Sequence, residues 1–257
     1  MKIIISPAKK MRVQTDQYPV KQLPVFLDET EQIMTRLRQL SFAELKNLWK
    51  CNDKIAETNY QRLQDMKVQE HLTPAIISYE GIQYQYMAPG VFTDAALEYI
   101  EQHLRILSGF YGVLKPFDGV TPYRLEMQAK LDVGEHKDLY GFWRDKLYQN
   151  VMDGEHIIIN LASKEYSRCV EAYLKQKDQF ITCVFGELTD GKVVQKGTLA
   201  KMARGEMVRF MAEHAVERTE ELKEFSSLGY CFSKLHSNEK EYVFIRKANS
   251  PLTEEHC

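Results

Sequence analysis

Ser6, Lys9, Tyr123, Arg124, Glu126, Asn160 and Ser163 each stand at the end of an apolar run or inside a glycine- and proline-rich stretch, positions from which a fold can deliver polar groups to one pocket. A lysine close to a serine, with an arginine and a glutamate two residues apart, suits activation of a hydroxyl or capture of a phosphate. The other reading of Arg124 and Glu126 is a buried ion pair that pins its segment. A second group is purely basic: Lys9, Lys10 and Arg12 near the start, Lys50 and Lys54 about a helical break, and Lys201, Arg204 and Arg209 in one later helix. Its chemistry is neutralisation of phosphates along a nucleic-acid backbone.

Several chemistries are missing. The chain has no GxGxxG, Walker, HExxH or GxSxG pattern, and its seven histidines include no pair at i, i+3 or i, i+4. No metal and no cofactor is therefore assigned, although histidine spacing leaves room for a mixed carboxylate and histidine iron site. Cys51, Cys169, Cys183, Cys231 and Cys257 are widely spaced, odd in number and never CxxC, which predicts reduced thiols rather than a disulfide framework. The apolar run after Lys2 holds only three isoleucines before Ser6-Pro7, too short for a signal-peptide core, and no segment is long and apolar enough for a membrane helix. The expected location is the cytoplasm, with no membrane partner.

With 257 residues, 44% of them hydrophobic and 27% charged, the chain can bury a sizeable core. Its net charge is only −2, but the charge is segregated: residues 192–211 hold five bases against Glu206, whereas residues 213–224 are mostly acidic. Such segregation permits a basic cleft on an acidic protein.

The elements that must position these residues follow from periodicity. Lys2 to Ile5 is a β-branched run stopped by Ser6-Pro7, a buried strand ending in a turn. Asp28 to Leu40 has helical spacing, Ser41 and Glu44 form a capping box for the next helix, and a third helix follows the break at Cys51-Asn52-Asp53. This has the shape of a helix-hairpin-helix facing a phosphate, or of an ordinary αα-hairpin; the glycines usual in the former are absent. Ala75 to Tyr79 and Gln83 to Met87 suggest strands around Gly81, and Thr93 caps a helix to Leu107. That helix feeds the stretch to Leu131, where Gly109-x-x-Gly112 suggests a second phosphate-approaching turn.

Aromatic and charged residues mix between Asp138 and Asn150, a base-stacking surface or, at helical spacing, core on one face. His156 to Leu161 is a strand, Ser163 is placed to cap the helix after it, and Asn160 and Ser163 would line an anion site there. Gln179 to Lys196 forms a hairpin about Asp190-Gly191, Thr198 opens a helix to His214, and Gly229 to Ser233 with Glu241 to Arg246 are closing strands. Gly205 inside the long helix is costly unless something packs closely against it. No repeat or linker divides the chain. The expectation is one α+β domain over residues 1–257, with a mixed or antiparallel-rich sheet and surrounding helices.

Four stretches carry a family resemblance: ISPAK at Ile5 to Lys9, LSGFYGVLKPFDGVTPYRLEM at Leu107 to Met127, INLASKEY at Ile159 to Tyr166 and KMARGEMVRF at Lys201 to Phe210. In order and spread they resemble the YaaA family of bacterial peroxide-stress proteins. The resemblance implies a cytosolic DNA-binding protein of unusual fold, linked to oxidative stress and DNA repair. On that expectation the partner is duplex, bubbled or junction DNA, held in a basic cleft with little sequence preference and without turnover. Two alternatives remain: an enzyme acting on a nucleotide or damaged nucleic-acid end, and a protein limiting intracellular iron.

Overall fold

The computed structural model describes residues 1–152, 154 and 156–246. β1 (Lys2–Ile5) lies at the centre of one sheet, with its three isoleucines fully buried. A strand covered on both faces needs apolar side chains at successive positions rather than alternation, which is what KIII supplies. β1 pairs in parallel with β2 (Leu104–Ser108) on one side and with β4 (Ile157–Leu161) on the other. β3 (Gly112–Leu114) turns back antiparallel on β2. Beyond β4 come β5 (Gln179–Thr189) and β8 (Glu241–Arg246), both parallel. β6 (Lys192–Val194) and β7 (Tyr230–Phe232) add antiparallel edges to β5 and β8.

The order is β7-β8-β5-β4-β1-β2-β3, with β6 on β5. The sheet is mixed, as expected: its core is parallel and its hairpins antiparallel. After β1 the chain adds β2 on one side and later β4 on the other, so β1 and β4 flank a topological switch point. A crevice outside the carboxyl ends of strands at such a point is where open α/β sheets bind ligands.

The helices are α1 (Leu27–Arg38), α2 (Phe42–Trp49), α3 (Asp53–Asp65), α4 (Ala75–Ser78), α5 (Ile82–Met87), α6 (Asp94–His103), α7 (Leu139–Trp143), α8 (Lys146–Val151), α9 (Lys164–Glu171) and α10 (Gly197–Glu213). The capping box at Ser41 and Glu44 is complete, and Thr93 caps α6 through the Ala96 amide at 3.2 Å. Two expected strands are corrected. Ala75 to Tyr79 is mostly the short helix α4, and Gln83 to Met87 lies within α5. The alternation IQYQYM fits both periods over so few residues, and packing decides: α5 lies against α10 at Gly205. A Cβ at Gly205 would fall 2.2 Å from the Gln83 carbonyl oxygen and 2.9 Å from the Met87 nitrogen.

Candidate functional site

β1 and β4 end side by side, and Ser6, just past β1, and Ser163, two residues past β4, each contribute a hydroxyl. The Ser163 amide donates to Ser6 Oγ at 2.8 Å, and Ser6 Oγ donates to Ser163 Oγ at 3.2 Å. Ser163 occupies the N-cap position of α9 with extended backbone, yet its side chain does not cap the helix. The Tyr84 hydroxyl, from α5, donates to the Ser6 carbonyl at 3.0 Å and fixes the turn after β1.

Beneath lies a chain of hydroxyls: Tyr123 is 2.7 Å from Ser108 and 2.9 Å from Tyr79. Burial pushes the Tyr79 and Tyr123 pKa values up, so both phenols are neutral donors at ordinary pH. Gly109, in the turn after β2, carries the segment from Arg124 to Glu126: a Cβ there would meet the Leu125 oxygen at 3.0 Å and the Met127 nitrogen at 3.1 Å. The Tyr123 amide also points to the Met11 sulfur at 3.5 Å. A two-residue ladder between Lys10–Met11 and Tyr79–Glu80 closes the side, and Gly81 admits Ala8, whose Cβ would lie 2.9 Å from a Cβ at that glycine.

These contacts enclose a cavity of about 390 Å³, lined by Ser6, Lys9, Lys10, Tyr84, Tyr123, Arg124, Glu126, Ser163, Lys201 and Arg204 among others. Five basic side chains face it (Lys9, Lys10, Arg124, Lys201, Arg204) against three acids (Glu80, Glu126, Glu165). Lys9 is paired with Glu126 at 2.8 Å and Lys10 with Glu80 at 2.7 Å. Among the described residues Arg124 has only the Trp49 carbonyl, 3.3 Å from Nη2, and the Nε atoms of Arg124 and Arg204 are buried without a hydrogen-bond partner. Burial lowers the Arg204 pKa from its ordinary value, and no carboxylate offsets it. Both guanidinium groups are half-buried with no carboxylate paired to them among the described residues, so the cavity carries an excess of positive charge. Glu165 opposes this; burial first, then neighbouring Glu126, raise its pKa, while the Gln128 amide donates to it at 3.2 Å.

Ser6, Lys9, Tyr123, Arg124, Glu126 and Ser163 thus share one wall system. Asn160 does not. Its Oδ1 accepts from the Ala162 amide at 2.9 Å and its Nδ2 donates to Thr182 Oγ1 at 3.2 Å, which fixes the end of β4 toward β5 and a second cleft that shares Arg204 with the first. The suggested Arg124 and Glu126 ion pair is absent, because Glu126 serves Lys9. Of the basic group, Lys9, Lys10, Lys201 and Arg204 converge. Arg12 donates to the Ile77 carbonyl at 3.0 Å beside the cavity, and Arg209 is held by Glu213 at 2.8 Å on α10. Lys50 and Lys54 are exposed on the α2 and α3 hairpin, next to the Trp49 carbonyl that meets Arg124.

The Gly109 to Gly112 turn does not approach a ligand. It is buried, with Trp143 Nε1 donating to the Gly109 carbonyl at 3.1 Å. The aromatic run after Asp138 is largely core: Phe142, Trp143 and Tyr148 are buried. Asn52 caps α3 by accepting from the Ile55 amide at 3.0 Å, so that amide is already satisfied, and the neighbouring Asp53 carboxylate pairs with Lys46. Thr198 does not cap α10, which begins one residue earlier. Cys51, Cys169 and Cys183 are free; Cys231 is disulfide-bonded, against the expectation of five reduced thiols, and Cys257 lies outside the described residues. Burial pushes the Cys169 and Cys183 thiols up to about 12.

Sequence reasoning missed Glu80, Tyr84, Glu165 and Tyr166, which also face the cavity. Glu165 and Tyr166 stand in the INLASKEY stretch one turn past Ser163, and the helical offset is their only signal. Among the described residues no group of three or more His, Cys, Asp or Glu side chains is placed to hold a metal, and no helix is long and apolar enough to cross a membrane.

The family model for the peroxide stress protein YaaA matches residues 1–236. A UPF0246 protein of Agathobacter rectalis is 57% identical over 247 residues, 96% of this chain and 99% of that protein. Another, of Pediococcus pentosaceus, is 54% identical over 246 residues, 96% of this chain and 98% of the relative. A third, of Lachnoclostridium phytofermentans, is 53% identical over 246 residues, 96% of each.

Proposed function

Because this chain belongs to the peroxide stress protein YaaA family, we propose that it serves the oxidative-stress response in the cytoplasm by binding DNA through its phosphates, with little sequence preference. The observation that carries this reading is the excess of positive charge about one cavity, with the Nε atoms of Arg124 and Arg204 buried and unpartnered. Lys201 lies beside them, exposed and with no acidic partner among the described residues, and Lys50 and Lys54 extend the same charge along the hairpin. Contacts of this kind position a backbone and carry no base information.

Pairing decides which cations contribute. Lys9, Lys10 and Arg209 already neutralise Glu126, Glu80 and Glu213, so transferring them to phosphate releases fewer counterions than their number suggests. Lys50, Lys54 and Lys201 remain, Arg204 being half-buried in the cavity. Some three phosphate contacts predict a slope of about −3 in log K against log salt. The test is binding of a closed circular duplex at a series of salt concentrations. Lys201→Ala should flatten the slope by about one unit and weaken unrelated duplexes equally. Absence of binding at low salt would defeat the proposal, and loss of discrimination between sequences in the variant would replace it with a base-reading protein.

A further inference from the structure

We propose that the cavity between β1, β4 and α10 binds one nucleotide through a terminal phosphate, a phosphomonoester dianion, rather than an internal diester of the duplex. The inference deepens the phosphate-binding reading above and rests on it.

Size comes first. A space of about 390 Å³ falls in the range of small-molecule sites and cannot admit a double helix, whose grooves alone are ~6–12 Å wide. A duplex can lie across the mouth and touch Lys201, but Arg124 and Arg204 are half-buried, with Nε atoms out of reach of solvent. Diester contacts are made at wet, exposed surfaces by groups that keep their own hydration. Guanidinium groups drawn inward require a ligand that comes in to them.

Charge sets the class. Lys9 with Glu126 and Lys10 with Glu80 are neutral pairs, which leaves Arg124, Arg204 and Lys201 against Glu165. An excess of about two positive charges matches a monoester, which carries close to two negative charges near neutral pH, better than a diester with one. The lining also includes the apolar side chains of Pro7, Ala8, Ile82 and Leu125 with the rings of Tyr84 and Tyr166. Tyr84 is held by its bond to the Ser6 carbonyl, so this apolar lining is fixed before any ligand arrives, and a base can lie against it.

The phosphate can come from a free mononucleotide or from the end of a strand, and the experiment separates them. Binding is measured by calorimetry with deoxyadenosine 5′-monophosphate, deoxyadenosine, inorganic phosphate, and an eight-nucleotide single strand with either a 5′-phosphate or a 5′-hydroxyl. The monophosphate should bind saturably, the nucleoside at least tenfold more weakly, and inorganic phosphate between them. Preference of the strand with 5′-phosphate over its hydroxyl twin by tenfold identifies strand ends as ligands; binding of the monophosphate alone identifies a free nucleotide. Arg124→Gln and Arg204→Gln should each weaken the monophosphate at least tenfold, and Arg204→Lys should recover part of the loss, which separates lost charge from lost folding. No saturable binding of any monoester, or affinity unchanged in both glutamine variants, overturns the inference. The closed circular duplex separates the two readings: if it binds while the monoesters do not, only this inference falls, and the reverse result removes the duplex and keeps the pocket.

Discussion

Asp118 lies buried under the turn that leads from β3 to the site, accepting from the Lys115 amide at 2.9 Å and from the Gln22 side chain at 2.7 Å. Burial raises its pKa from 3.8 to about 6 despite those bonds. A carboxyl with a raised folded pKa binds more protons folded than unfolded, so its stabilising contribution is complete below the usual carboxylate range and is lost as pH rises through about 6. Asp118→Asn keeps an acceptor for the Lys115 amide, and the Gln22 amide can turn to offer its oxygen. Relative to the variant, the native protein should lose about 2 kcal/mol of stability between pH ~4 and ~7, read from denaturant unfolding at both. Parallel curves for the two proteins would mean another group titrates. The thiols give a second residue-scale prediction: iodoacetamide should label Cys51 in the native protein, and Cys169 and Cys183 only after unfolding, as mass spectrometry can resolve. Labelling of either buried thiol in the native state would reopen oxidant sensing by these two, which burial of a protonated thiol opposes. The convergence of Ser6, Lys9, Arg124 and Ser163 on one cavity was legible because each stands at the end of an apolar run or in the glycine- and proline-rich stretch. Asn160 has the same signature, and only the pairing of β4 with β5 decides that its amide turns to Thr182 instead.

At the scale of elements, the site depends on α10 lying close enough to α5 to bring Lys201 and Arg204 to the ends of β1 and β4. Gly205 permits that approach. Gly205→Ala gains about 1 kcal/mol of helix propensity, but its methyl meets backbone atoms that cannot rotate away, and the contact wins. A net loss of about 2 kcal/mol is expected, a fall in melting temperature of roughly 4–8 °C for a chain of this size, with weakened anion binding as α10 moves outward. A melting temperature unchanged or raised would show that the helices separate freely. The sequence marked Gly205 as anomalous yet could not name its partner, because that partner, α5, alternates like a strand. Short segments such as α4 and α5 take their conformation from what they pack against. The long amphipathic elements α1 and α3, which decide their own period, were legible; α6 was legible only to His103, because Leu104 to Leu107, expected as its last turn, belongs to the buried strand β2 beside β1. The Gly109 and Gly112 turn shows the converse: its glycines are close-approach positions, but Gly109 meets the chain's own backbone at Leu125 to Met127 and Gly112 meets the rings of Trp143 and Phe26.

For the molecule as a whole, a net charge of −2 opposes nonspecific attraction to DNA, so any affinity must come from where the cations stand. The parallel core places its switch point, and with it the cavity, on the same side as the α2 and α3 hairpin, through the contact of Arg124 with Trp49. The mixed sheet was legible from its strands. The switch point was not, since it depends on which side of β1 the later strands join, and that is fixed by long-range packing. Two surfaces can therefore meet a duplex: α10 through Lys201, and the hairpin through Lys50 and Lys54. The hairpin amides are a poor phosphate site, capped by Asn52 and shadowed by Asp53, so its contribution must come from the lysine side chains alone. Lys50→Ala with Lys54→Ala should then flatten the salt slope of circular duplex by about two units, and adding Lys201→Ala should remove about one more, because separate sites contribute independently. Mononucleotide affinity should stay within a few fold throughout the hairpin variant, since neither lysine lines the cavity. If the hairpin variant keeps the full slope, the duplex runs along α10 only; if it loses mononucleotide binding as well, hairpin and cavity form one site, and the separation of strand path from pocket is wrong.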